Sequence, residues 1–119
     1  MFVSRLVELY QSKTMAKVSV IIPTFNRFSY LLNAIRSVEG QTHRDLEIIV
    51  INDCSTQPEY YDHEFGHQVR VIHLPENTRK KFGKARIGYV RNQGMRQATG
   101  DYIAFLDDDD IWFPQKLER

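Results

Sequence analysis

An α/β fold with a largely parallel sheet flanked by helices is predicted by three observations. Strand-like runs alternate with helix-like ones; most strand-like runs are apolar at nearly every position, as strands covered on both faces are; and several end abruptly in polar loops. Sheets of this kind bind ligands beyond the carboxyl ends of their strands. Those loops are where function is sought.

Taken in order, residues 1–16 place Phe2, Leu6 and Leu9, with Val3, Val7 and Tyr10, at helical spacing, which predicts a short amphipathic extension docking on the domain or on a partner. Glu8 and the scarcity of basic residues there argue against a membrane-surface helix. Residues 18–22 are a β-branched apolar run halted by Pro23, a buried strand ending in a loop. From Ser29 onward Leu31, Leu32, Ile35 and Val38 form one apolar helical face, with Gly40 as its stop. A second strand, 46–51, runs into the turn-prone group Asn52, Asp53, Cys54 and Ser55. The third, 69–74, is closed by Pro75. Residues 84–98 read as a helix with Ile87, Val90, Met95 and Ala98 toward the core, and 102–106 as the fourth strand.

The 119 residues, 42% hydrophobic and 26% charged, allow one core, so residues 17–119 are taken as one domain behind the 1–16 extension. A net charge of +1 supplies no overall field for nucleic acid or an acidic membrane surface, which leaves local clusters as the source of any charge-based function. The lone Cys54 excludes an intrachain disulfide framework and suits a reducing cytoplasm. No apolar run approaches the roughly 20 residues that span a bilayer, and the N-terminus has no continuous apolar segment of the secretory kind. A cytoplasmic protein is expected.

The sharpest local cluster is Asp107, Asp108, Asp109 and Asp110, which repel one another unless water, a cation or positive side chains screen them. Mg²⁺ and Mn²⁺ prefer oxygen ligands, and an Asp-x-Asp pair leaves coordination positions free for a diphosphate. A calcium loop of the EF-hand type needs a glycine that does not follow here. The plainer alternative is capping of a helix beginning near Ile111, which accounts for one or two of the four. A competing motif, His63-Glu64-Phe65-Gly66-His67, matches the zinc-protease pattern H-E-x-x-H. That chemistry requires a helix through both histidines, whereas Gly66 is a poor interior residue and a strand begins at 69. A short surface helix ending at Gly66 is expected instead.

VSVIIPTFNR at 18–27, Ser37-Val38 with Gln41-Thr42, EIIVINDCST at 47–56, RNQG at 91–94 and GDYIAFLDDDD at 100–110 resemble, in order and spacing, the successive motifs of family 2 glycosyltransferases. The resemblance covers about residues 17–119 and implies a GT-A fold, a Rossmann-like nucleotide-binding half with an Asp-x-Asp metal site. The family's usual Asp-Asp-Gly-Ser is Asn52-Asp53-Cys54-Ser55 here, which removes one charge and a glycine. Carried over by position, Asp53 would accept a hydrogen bond from the base, with uracil favoured, while Pro23, Thr24 and Phe25 would line the base pocket. Asp108 would face the ribose, Asp109 with Asp107 would hold Mn²⁺ or Mg²⁺ on the diphosphate, and Asp110 would cap the next segment. Arg86 would lie near the nucleotide. Around it, the run of Arg79, Lys80, Lys81 and Lys84 reads either as a flap over the diphosphate hinged at Gly83 or as a solvated face. Trp112 and Phe113 are expected to pack under the site.

The implied activity is transfer of sugar from a nucleotide diphosphate sugar, a UDP-sugar for preference, to a glycan, lipid or protein acceptor with inversion. Family members continue into a second half that binds acceptor and supplies the general base, so that base is expected outside this chain. The alternative of a different class is a nucleotide-sugar-binding module without transferase activity. A sheet edge left uncovered would allow a homo-oligomer. Peripheral attachment at the inner membrane face is compatible with the cytoplasmic expectation.

Overall fold

A computed structural model describes residues 16–118, so the expected extension lies outside the described residues apart from Ala16. Four strands, β1 (Val18–Thr24), β2 (Leu46–Asn52), β3 (Val69–His73) and β4 (Tyr102–Phe105), form one sheet in the order β3-β2-β1-β4 with every neighbour parallel. The helices are α1 (Phe28–Glu39), α2 (Glu59–Asp62), α3 (Thr78–Phe82) and α4 (Ile87–Gln97), and a 3₁₀ turn spans Lys116–Glu118. The predicted alternation of strand and helix is what the chain builds.

Because side chains alternate across a strand, β1 and β2 feed two cores. On one face Val18, Val20, Ile22, Ile48 and Val50 meet Leu31, Ala34, Ile35 and Val38 of α1; on the other Ile21, Ile49 and Ile51 meet Val90 of α4 and Leu74. Each such Val, Leu or Ile side chain contributes roughly 1.5–3 kcal/mol when fully buried. This explains why β1 and β2 read as unbroken apolar runs.

Two expectations need correcting. Pro23 does not end β1, which runs on to Thr24 with Pro23 opposite Ile51. Alternate residues address opposite neighbours: Thr24 O accepts from Asp53 N at 2.9 Å on the β2 side, and Ile21 O from Leu106 N at 3.0 Å on the β4 side. Pro23 therefore faces β4 without an N–H to give, and the β1–β4 ladder stops there. The second correction concerns α4, which starts at Ile87 rather than 84. It buries Val90 and Gly94, while Ile87 and Met95, both expected inward, are 52% and 36% exposed. Gly94 sits so close that a Cβ there would lie 2.7 Å from Ile21 Cγ2 and 3.0 Å from Ile51 Cδ1. Close approach, rather than side-chain bulk, seats this helix.

The amino ends of the strands are tied by Glu47 on β2. Its carboxylate accepts from Ser19 Oγ at 2.5 Å and from Thr99 N and Oγ1 at 2.7 and 3.0 Å, with Lys17 and Arg70 at 3.9 and 3.8 Å. Burial opposes its ionisation, but the Ser19 and Thr99 hydrogen bonds and the Lys17 charge outweigh that and hold the carboxyl below its ordinary range. At the far side of the sheet, β4 leaves Tyr102, Ile103 and Phe105 exposed. Among the described residues no strand pairs with its outer edge.

Candidate functional site

From β1 the chain passes through α1 to β2 on one side, and it returns as β4 on the other side of β1. The crevice beyond the carboxyl ends of β1 and β4 is thus a topological switch point, where open sheets of this kind take ligands. A hollow of about 440 Å³ lies there. The eight residues expected to touch nucleotide or metal all line it: Pro23, Thr24, Phe25, Asp53, Arg86, Asp107, Asp108 and Asp109. Arg27, Ala85 and Ile87 are among those that join them.

The loops after β1 and β2 are clasped together by Asn26. Its side-chain oxygen accepts from Thr56 N at 2.8 Å and Gln57 N at 3.2 Å, and its backbone N–H donates to Ser55 Oγ at 2.9 Å. Asn26 and Cys54 both have left-handed backbones, with φ of 50° and 56°. Asparagine tolerates that conformation, but cysteine has no such advantage. The glycine missing from the family pattern is missing where the backbone wants one.

Asp53 is buried and accepts from Thr78 N at 2.9 Å and Thr78 Oγ1 at 2.6 Å, which anchors the start of α3. A carboxylate has about four acceptor sites, so capacity remains toward the hollow. Asp108 is buried as well, while Asp107, Asp109 and Asp110 are exposed. The chain has left β4 and turns here, and the turn buries Asp108 against Thr24 while Asp107 and Asp109 stay outside.

A directed hydrogen-bond chain reaches Asp108. Arg27 N–H donates to Tyr60 Oη at 2.9 Å, Tyr60 then has its proton for Thr24 Oγ1 at 2.6 Å, and Thr24 donates to Asp108 Oδ2 at 2.9 Å. Thr24 has one hydroxyl proton and gives it to the Asp108 carboxylate, so it accepts from Tyr60 and the chain runs one way. Burial pushes the Asp108 carboxyl up; Thr24, the Arg27 charge and the Phe25 N–H pull against it, and Asp109 adds to the rise.

No helix starts at 111, so the alternative of helix capping by the aspartates falls away, and Asp110, expected to cap the next segment, closes a turn. Its N–H donates to Asp107 O at 3.1 Å, and the turn brings oxygens of Asp107, Asp109 and Asp110 within 4.8 Å of one another. Three exposed, all-oxygen donors open on one side fit a hard divalent cation that keeps room for a second ligand. Two arginines screen the cluster: Arg27 Nη1 stands 3.2 Å from Asp109 and 3.5 Å from Asp108, and Arg91 Nη2 stands 3.2 Å from Asp107. Both stand within the motifs at 18–27 and 91–94, which by themselves assign them no role. The electrostatics demanded positive partners, but the basic run at 79–86 was the more visible source.

Of that run, Arg86 lines the hollow, its guanidinium 4.9 Å over the Phe82 ring. Lys80 and Lys81 line a different hollow with Leu74, Glu76 and Tyr89. Residues 78–82 form helix α3, capped by Asn77 and closed by Gly83 at φ 82°. At the other motif, helix α2 ends at Asp62 instead of Gly66, and His63 is extended, packed 5.3 Å from Phe28 and 4.6 Å from Phe65. The helix that would align His63 with His67 does not form, so the protease chemistry has no frame. Trp112 packs partly buried against the α1 core as expected, while Phe113 is 83% exposed. Gln41 clasps that segment, donating to Phe113 O at 2.7 Å and accepting from Leu117 N at 3.1 Å.

Comparison with known proteins agrees with this fold. A family model described as glycosyl transferase family 2 matches residues 19–119. A glycosyltransferase of Rickettsia bellii is 44% identical over 103 residues, covering 87% of this chain and 14% of its own length. The crystal structure of Staphylococcus aureus TarS 1–349 in complex with UDP aligns at a TM-score of 0.70 and 29% identity, over 86% of this chain and 30% of that one. A mannosyltransferase from Pyrobaculum calidifontis, solved with GDP-Man and Mn²⁺, shares the fold at a TM-score of 0.65 and 19% identity, over 89% and 35%. The chain thus spans well under half the length of each.

Proposed function

The chain belongs to glycosyl transferase family 2 and has its GT-A-like fold, and on that premise we propose that residues 17–119 are the donor-binding half of a metal-dependent glycosyltransferase. The convergence of Asp53, Asp108 and the Asp107, Asp109, Asp110 trio in and around one switch-point hollow carries the proposal.

The half-exposed Phe25 and the neighbouring Pro23 and Thr24 offer an apolar wall for a base, and the spare acceptor capacity of Asp53 suits a base with an imide N–H. Uracil is favoured, in keeping with the UDP held by the TarS relative. Asp108, held by Thr24 and Arg27, presents its carboxylate to the ribose hydroxyls. Asp107 and Asp109, with Asp110 close by, would hold Mn²⁺ or Mg²⁺. A divalent ion bound there supplies positive charge against the negative charge that develops on the leaving diphosphate. Arg86 adds a permanent planar donor fork beside the amino end of α4, whose first turn has no side-chain cap.

The sugar then passes to an acceptor hydroxyl with inversion, the acceptor being a glycan, lipid or protein. The general base that takes the hydroxyl proton comes from outside this half. No described helix is long and apolar enough to cross a membrane. A cytoplasmic location, or peripheral attachment to a membrane face, accords with that. A second reading, a nucleotide-sugar-binding module without turnover, is favoured by one observation: the acidic residues of the hollow, Asp53, Asp107, Asp108 and Asp109, are all assigned to base, ribose or metal, which leaves none of them as the general base.

Calorimetric titration with UDP, GDP and TDP, with and without Mn²⁺, tests the proposal. UDP is expected to bind tightest and to need the metal; equal affinity with and without Mn²⁺ would refute the site as drawn. Donor-hydrolysis and transfer assays then divide enzyme from module, because a module retains binding and turns over nothing.

A further inference from the structure

Arg27 is placed to do more than screen charge. Among the described residues it is the basic side chain that reaches two of the four aspartates, and a single nitrogen, Nη1, serves both. Hydrogen bonds among the described residues use only that nitrogen of the guanidinium. The side chain is 53% exposed, at the lip of the hollow, while its backbone is held by Tyr60 Oη. A long arm on a fixed pivot, with most of its donor fork unspent, can be re-aimed without moving the loop that carries it.

The carboxylate of Asp109 serves two masters in this arrangement. Its oxygen lies 3.2 Å from the guanidinium and within 4.8 Å of the Asp107 and Asp110 oxygens with which it would hold a cation. A divalent ion and a guanidinium placed against one carboxylate repel each other over a few ångströms, so each weakens the other's hold. A diphosphate changes that balance, since its oxygens match the planar fork with two parallel hydrogen bonds where Asp109 takes one.

We propose that Arg27 couples the two ligands: it occupies Asp109 in the free protein and is drawn onto the diphosphate when nucleotide arrives, which releases Asp109 for the ion. This rests on the metal and nucleotide reading given above. By reciprocity, the ion must strengthen nucleotide binding by the same factor as nucleotide strengthens the ion's. Arg27 is a positioning residue in this scheme. Arg91 is not its equivalent, because it touches Asp107 alone and lies against the Phe105 ring at 5.2 Å.

Mn²⁺ binding to the 119-residue chain, followed by the electron paramagnetic resonance signal of the free aqueous ion with and without saturating UDP, tests the coupling. In Arg27→Gln, Mn²⁺ alone is expected to bind about tenfold tighter than in the wild type, and the enhancement by UDP to shrink by at least that factor. Arg27→Lys, which keeps the charge and loses the fork, is expected to leave binding of Mn²⁺ alone near the wild-type value while reducing the UDP enhancement. Circular dichroism of both variants verifies that the fold is retained. The coupling role is overturned if the wild type binds Mn²⁺ with UDP but Arg27→Gln binds Mn²⁺ alone no more tightly. If the wild type binds no Mn²⁺ even with UDP, the coupling and the metal-dependent reading beneath it fall together, which is a separate and recognisable result.

Discussion

At the scale of single residues, the two loops that frame the hollow put opposite demands on their side chains. Cys54 holds a left-handed backbone that costs a residue bearing a Cβ roughly 1–2 kcal/mol. Cys54→Gly should therefore raise stability by about 1 kcal/mol, partly offset by the greater freedom of glycine when unfolded, and urea denaturation would show it. Asp53 has two duties, capping Thr78 and facing the hollow. Asp53→Ala is expected to weaken UDP more than Mn²⁺ in separate titrations, and to cost about 1–3 kcal/mol through the unpaired Thr78 groups. Asp109→Ala should largely abolish metal-dependent UDP binding while leaving the urea midpoint near the wild-type value, because Asp109 is exposed and buries nothing.

At the scale of elements, α4 and the amino end of the sheet are the sensitive joints. Gly94→Ala forces a methyl group into Ile21 and Ile51, and the expected loss is about 1–3 kcal/mol. Glu47 joins β1, β2 and the loop before β4, and its effect depends on pH. Its folded carboxyl titrates below its unfolded value of about 4.5, so its stabilisation is present above that value and is lost as the pH falls through the folded one. Glu47→Gln is thus expected to lower stability at neutral pH by about 1–3 kcal/mol and to flatten the acid limb of the stability curve. Asp108 works the other way: its raised folded value means that ionising it costs stability as the pH climbs from about 3.8 through that value. Replacing both His63 and His67 should leave nucleotide binding unchanged, since neither lines the switch-point hollow.

At the scale of the whole molecule, the sheet is unevenly covered. The strand order leaves β3 and β4 at the edges, and β4 exposes Tyr102, Ile103 and Phe105 beside an edge unpaired among the described residues. An apolar edge of that sort invites pairing with a second copy. Sedimentation at several concentrations should show self-association that Ile103→Lys reduces; a concentration-independent monomer would remove the homo-oligomer from consideration.

Much of this was legible in the amino-acid order by itself. Periodicity and length mark each strand and α1 because those residues are selected locally, by a two-sided apolar sheet and a one-sided helix. Seven of the eight candidate residues were legible because they stand in short motifs at or just after strand ends, and parallel strands carry such loops to one end; Arg86, between α3 and α4, was marked only by the family resemblance. What tertiary structure alone decided is how charge and volume are balanced across distant segments. Arg27 meets Asp108 across 81 residues and Arg91 meets Asp107 across a helix-to-strand crossover, and Gly94 in place of Met95 faces the sheet. The turn after β4 sets Asp108 inward against Thr24 and leaves its neighbours outside. No local pattern encodes such pairings, because each depends on where the parallel sheet sets one segment against another.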